Sequence, residues 1–188
     1  MTLIWILVIC AALALLWAVL AFNNLVKSKN LMREGWSGID VQLKRRADVV
    51  PRLVETVRGY VEHERNLLER VTELRAEAAK AQGAARRGEV EKQLSQALGQ
   101  LMIYTENYPQ LKASENFLKL QGQLAELEDQ IQMSRRYYNG CVRNLNIRIE
   151  SFPSNLVAAL FRFQKGEFFQ LEDDAERAAP SVSMEKSS

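Results

Sequence analysis

The chain has almost none of the side chains that metal and redox chemistry need: one histidine, His63, and two cysteines, Cys10 and Cys141, in 188 residues. A di-iron bundle requires Glu-x-x-His on two helices, and the residue three before His63 is Tyr60. A zincin requires His-Glu-x-x-His; His63-Glu64 begins one, but Leu67 stands where the second histidine belongs. No metal site and no cofactor follow, and His63 reads as a helix-surface residue. Two separated cysteines make no disulfide framework, which suits a reducing compartment. Charge of one sign is also scarce, since 25 Lys and Arg face 23 Asp and Glu. A net charge of +2 implies no nucleic acid partner.

Nucleophilic and phosphate chemistry lack their parts too. There is no G-x-S-x-G elbow, no Walker loop and no G-x-G-x-x-G; Gly35-Trp36-Ser37-Gly38 lies in a helical pattern. Cys141 falls on an apolar seam, where it reads as a small buried residue without a nearby base. These absences point away from an enzyme.

What the chain has is an uncharged apolar run of 20 residues, Leu3 to Phe22. As a helix it spans about 30 Å, the thickness of a bilayer's hydrocarbon core. A cleaved signal peptide is the rival reading. It needs an early cation, a shorter apolar core and a small-x-small exit, and Ala18-Val19-Leu20-Ala21-Phe22 does not supply that exit. Residues 1–23 are therefore expected to be an uncleaved anchor. Trp5, Trp17 and Phe22 lie toward its ends, where aromatic rings favour the interface, and Lys27 and Lys29 follow it. With Arg33, these cations predict an outward N-terminus and a cytoplasmic domain.

From residue 24 to 170 the spacing is helical almost throughout. Leu25, Met32, Trp36, Ile39 and Leu43 form one apolar face, closed on the polar side by Arg45 and Arg46. Pro51 predicts a tight turn with Asp48 as helix cap; a kinked continuous helix is the alternative. The next seam runs Leu53, Val57, Tyr60, Glu64, Leu67, Val71, Leu74 and Ala78, with an acid at a core position. A third helix carries Val90, Leu94, Ala97, Leu101, Tyr104 and Tyr108. A fourth starts near Ser114 and carries Phe117, Leu120, Leu124, Leu127, Ile131, Tyr138, Cys141 and Leu145. The predicted fold class is all-α: an N-terminal transmembrane helix, an antiparallel up-and-down four-helix bundle and a short C-terminal amphipathic segment.

Glu64 needs a cation or a hydrogen-bond donor, and Arg135 on the fourth helix is the preferred partner, the pair fixing bundle register. Asn139, Asn144 and Asn146 are expected on the helix surface or bonded to neighbouring backbone, with a functional groove as the alternative. The closing segment opens at Pro153 and is rich in Phe152, Phe161, Phe163, Phe168 and Phe169. Two readings stay open: the rings meet the lipid interface, or they cover the open end of the bundle. The tail 171–188 carries five acids against two bases and reads as disordered.

Four blocks carry a resemblance: WSGIDVQLKRRADVVPRLVETVRGYVEHE (Trp36 to Glu64), YPQLKASENFLKLQGQL (Tyr108 to Leu124), IQMSRRYYNGCVRNLNIRIESFPSN (Ile131 to Asn155) and EFF (Glu167 to Phe169). In this order and spacing they resemble the LemA family. That resemblance implies a single membrane helix with its start outside and a cytoplasmic four-helix bundle in a bacterial inner membrane. It brings no established activity and no catalytic residues. The expected function is a membrane-anchored scaffold that self-associates as a homo-oligomer on the lipid bilayer. Trp36 and the Phe-rich end are its candidate interface. The alternative is an adaptor for another membrane protein, such as a protease, sensor or transporter.

Overall fold

A computed structural model describes residues 1–61 and 64–170. The expectations for His63 and for the tail 171–188 lie outside the described residues. The rest is all-α: α1 (Thr2–Arg58), α2 (Arg65–Lys80), α3 (Ala84–Thr105), the single turn α4 (Pro109–Lys112), α5 (Glu115–Glu150) and α6 (Ser154–Leu160). The helix α1 has 57 residues. It is therefore about 85 Å long at the standard rise, and its first third is the apolar run, with side chains exposed from Leu3 to Leu20 apart from the half-covered Ala18.

The turn expected at Pro51 does not form; Asp48 and Pro51 are both helical, so the kinked-continuous alternative describes the chain better. Proline removes the N–H that would bond the carbonyl of Ala47, four residues back. That carbonyl finds another donor, the Arg75 guanidinium of α2, whose Nε donates at 2.7 Å. A buried backbone acceptor left without a partner costs about 1–3 kcal/mol, so this one side chain removes much of the local penalty. The break comes later. The helix ends at Arg58 with Gly59 as its cap, and α2 starts afresh after Glu64. The expected seam 53–78 is thus two seams: Leu53, Val57 and Val61 are buried before the turn, and Leu68, Val71, Leu74 and Ala78 after it. Tyr60 is exposed and Leu67 only half-buried.

Helix α5 runs antiparallel to α1 over most of the latter's length beyond the apolar run. The packing proves it level by level. Far from the apolar run, Val49 to Val57 of α1, with Val61 just beyond its end, meet Phe117 to Leu127 of α5 together with α2 and α3. In the middle, Ile39 and Leu43 face Ile131, Tyr138 and Val142. Next to the apolar run, Ala21 and Leu25 face Leu145, with Val157 and Ala158 of α6. The α2–α3 hairpin covers only the far portion, so the bundle has four layers distally and two helices near the apolar run. Each fully buried Leu, Val or Phe contributes about 1.5–3 kcal/mol, and the distal level holds most of them.

Candidate functional site

Three constellations stand out: a buried ion centre, a groove filled by the chain's own end, and the exit of the apolar run. The ion centre is built on Arg46, whose side chain is fully buried. Its Nη1 donates to Glu128 Oε2 and Ser95 Oγ, both at 2.6 Å. Its Nη2 donates to Glu91 Oε2 at 2.5 Å and to the Glu91 carbonyl at 3.3 Å. The other oxygen of Glu91 accepts from Arg87 Nε at 2.9 Å. Two cations face two carboxylates, and α1, α3 and α5 are tied by one guanidinium. Removing one partner of such a buried pair costs about 3–5 kcal/mol, because the other charge is left stranded. The centre therefore enforces one register of three helices. Its terminal N–H groups are taken by protein, its Nε is buried without a partner, and the whole guanidinium is sealed from solvent, so it has nothing to offer a substrate.

The expected pair of Glu64 and Arg135 is replaced by this centre. Glu64 precedes α2 and accepts from the Tyr108 hydroxyl at 2.9 Å. Arg135 lies 18 residues along α5 from Phe117, which packs in the same distal cluster as Val61. That is about 27 Å of helix, far beyond the reach of two side chains. A signal for the true centre was present. Ile39, Leu43, Arg46, Val50, Leu53 and Val57 follow steps of four and three, so Arg46 occupies a seam position once no turn is placed at Pro51.

The groove lies between α1 and α5 where α2 and α3 no longer cover them. After α6 the chain turns through Arg162, at φ 54°, with Phe163 N–H donating to Ala158 O and Arg162 N–H to Ala159 O. These two bonds are a Schellman closure. Residues 161–170 then run, without helix or strand, back along the groove as a strap. Asn146 donates to the Gly166 carbonyl at 3.0 Å and accepts from its N–H at 2.8 Å. Asn139 does the same for Phe169 at 3.0 and 2.9 Å. Seven helical residues and three extended residues both cover about 10 Å, so the two ladders are commensurate.

Phe169 is fully buried against Trp36 and Tyr138, and the Tyr138 hydroxyl donates to Glu167 O at 2.8 Å. Burial, helped by the Glu167 carboxylate, pushes the Tyr138 phenol up to about 12. Gly166 and Gly88 permit this fit: a Cβ on the first would stand 2.5 Å from Met32 Sδ, and one on the second 2.7 Å from Gln170 O. Asn139 and Asn146 thus bond to backbone that is local in space and remote in sequence. Trp36 and Phe169, expected at an intermolecular interface, are packed against each other inside the chain. Phe163 is half-buried, and Phe168 keeps a third of its surface exposed.

At the exit of the apolar run, Phe22 packs against Phe161 and Phe163, with ring centroids at 4.6 and 5.9 Å. The Lys29 ammonium sits 5.8 Å above the Phe163 ring, a cation–π contact. Lys27, Trp5 and Trp17 point outward. Phe152 is exposed beside α6. Two open clefts along the bundle, of about 300 and 410 Å³, are lined by side chains such as Arg45, Arg52, Glu55 and Lys119, without histidine, cysteine or serine. Among the described residues, no three His, Cys, Asp or Glu are grouped to hold a metal ion.

An apolar helix long enough to cross a membrane, continuous with the first helix of an antiparallel bundle, defines the class of protein. The chain belongs to the LemA family, which it matches over residues 35–184. It is 27% identical over 152 residues to Protein LemA of Metamycoplasma hominis, covering 80% of this chain and 69% of that protein. It is also 35% identical over 74 residues to Magnetosome protein MamQ 2 of Paramagnetospirillum magneticum. Magnetosome protein MamQ of Magnetospirillum gryphiswaldense is 29% identical over 73 residues. Each magnetosome match covers 39% of this chain and 27% of the relative's length.

Proposed function

We propose that the chain is a non-enzymatic scaffold, anchored by residues 2–22 in a bacterial inner membrane, that self-associates and organises the membrane around it. The observation that carries this reading is the unbroken α1. One helix includes both the apolar run and the register-fixing Arg46, so the bundle is held at a set height and direction by a rigid rod. A flexible linker would serve a tethered enzyme as well; a rigid rod serves positioning. The buried ion centre and the groove filled by the chain's own strap add no reactive group.

Lys27, Lys29 and Arg33, all after the run, favour an outward N-terminus with the bundle in the cytoplasm. Exposed Leu31, Val41, Met133 and Tyr137 on α1 and α5 supply apolar surface for a second copy. The magnetosome relatives lend a membrane-organising role support by analogy. Native mass measurement of the full chain in lipid nanodiscs tests the reading: dimers or larger are expected. A strict monomer at high concentration sinks self-association, and a stoichiometric foreign subunit points to an adaptor instead.

A further inference from the structure

The segment from Phe152 to Phe161 presents a face that the bundle does not use. Helix α6 packs inward through Val157 and Ala158, both buried on Ala21, Leu25 and Leu145. Outward it leaves Phe152 80%, Leu156 62%, Leu160 76% and Phe161 55% exposed. Four large apolar side chains within ten residues make a contiguous cost in water, whereas single exposed apolar residues are ordinary. Their level along α1 is fixed by contact. Phe161 stacks on Phe22, the last residue of the apolar run, and α6 lies beside Ala21 and Leu25. The apolar face is therefore continuous with the end of the span. Basic side chains come from the same stretches of chain: Arg162 adjoins Phe161, Lys29 lies over the Phe163 ring, and Lys27 and Arg148, near the exit of the run and the end of α5, are exposed. The nearby Glu150 is paired with Lys165 at 2.5 Å.

We propose that residues 152–161 are a second membrane contact, a foot that lies in the interface of the leaflet from which α1 emerges. Phe152, Leu156, Leu160 and Phe161 enter the boundary between headgroups and acyl chains, and these cations face the headgroups. The inference rests on the anchoring role of α1. A rod held at one point can tilt freely, while a rod with a foot at the membrane surface is held upright, so the foot sets the bundle's angle to the bilayer.

The test uses the full chain, with Cys10→Ser and Cys141→Ala, in vesicles of phosphatidylethanolamine and phosphatidylglycerol. Nitroxide labels are placed in separate samples at Leu156→Cys, Leu160→Cys, Leu13→Cys and Ile103→Cys. All four positions are exposed, so labelling leaves the packing intact. Collision with dissolved oxygen, relative to a water-soluble nickel chelate, should be several-fold higher at 156 and 160 than at 103, and highest at 13. Aqueous values at 156 and 160 with an apolar value at 13 overturn the foot and leave the anchor standing. Aqueous values at 13 as well overturn the anchor, and the foot with it. Shielding of 156 and 160 from both reagents marks a protein contact and overturns the foot.

Discussion

The two ends of the bundle solve the same packing problem differently. Distally, four helices bring their seams together, and apolar contacts plus one buried guanidinium close the core. Near the apolar run only α1 and α5 remain, and two helices cannot cover both their apolar stripes. The missing layers come from α6 and the strap, whose backbone has no helix or sheet to satisfy it. Two asparagines on α5 do that instead. The comparison teaches that a bundle can be completed by irregular backbone, provided that side-chain amides stand in for a strand.

The sharpest way to break the comparison is Arg46→Met. It leaves buried Glu91 with Arg87 alone and Glu128 with the Ser95 hydroxyl, and should cost about 3 kcal/mol, the low end for a broken buried pair. Thermal unfolding should show the loss, and Arg46→Met with Glu91→Leu and Glu128→Leu should recover much of it; an unchanged melting curve for the single variant would refute the centre's role. Second, Asn146→Ala leaves the Gly166 N–H and C=O unpaired, at about 1–3 kcal/mol. Hydrogen exchange should then accelerate in residues 163–170 while α2 and α3 keep their protection. Uniform acceleration would mean that the two ends are one cooperative unit.

Third, Arg75→Ala should cost about 1 kcal/mol in the parent, and almost nothing in a Pro51→Ala background, where the Ala47 carbonyl regains its own helical donor. Equal costs in both backgrounds would show that Arg75 acts elsewhere. The smallest effect is silent at neutral pH. The Tyr138 phenol titrates near 10 when undocked and about 12 when docked, so docking favours the protonated form. Strap docking should be unaffected below pH 10 and weaken as pH rises from 10 through 12. Trp36 emission in a Trp5→Phe, Trp17→Phe background reports it, and Tyr138→Phe should abolish the step.

Much of this was legible without coordinates. The apolar run, the seam of α5 and that of α3 from Val90 to Leu101 follow from periodicity, because a helix repeats its own geometry locally, although Tyr104 is exposed and Tyr108 lies beyond α3. The all-α class and the family blocks are of the same kind. Tertiary contacts decided the rest. Whether Pro51 stops a helix depends on a donor from α2, 24 residues away, which no local rule contains. Arg46 is buried or solvated according to which acids two other helices bring to it. The fates of Trp36, Asn139, Asn146 and Phe169 turn on where residues 161–170 lie, and a segment without periodicity announces no face. The sequence alone thus determined the all-α class, the seams of the later helices and the membrane-length span, while the boundary between the first two helices was not among them. The pairing of charges, the filled groove and the exposed foot were decided by what folding brings within a few ångströms.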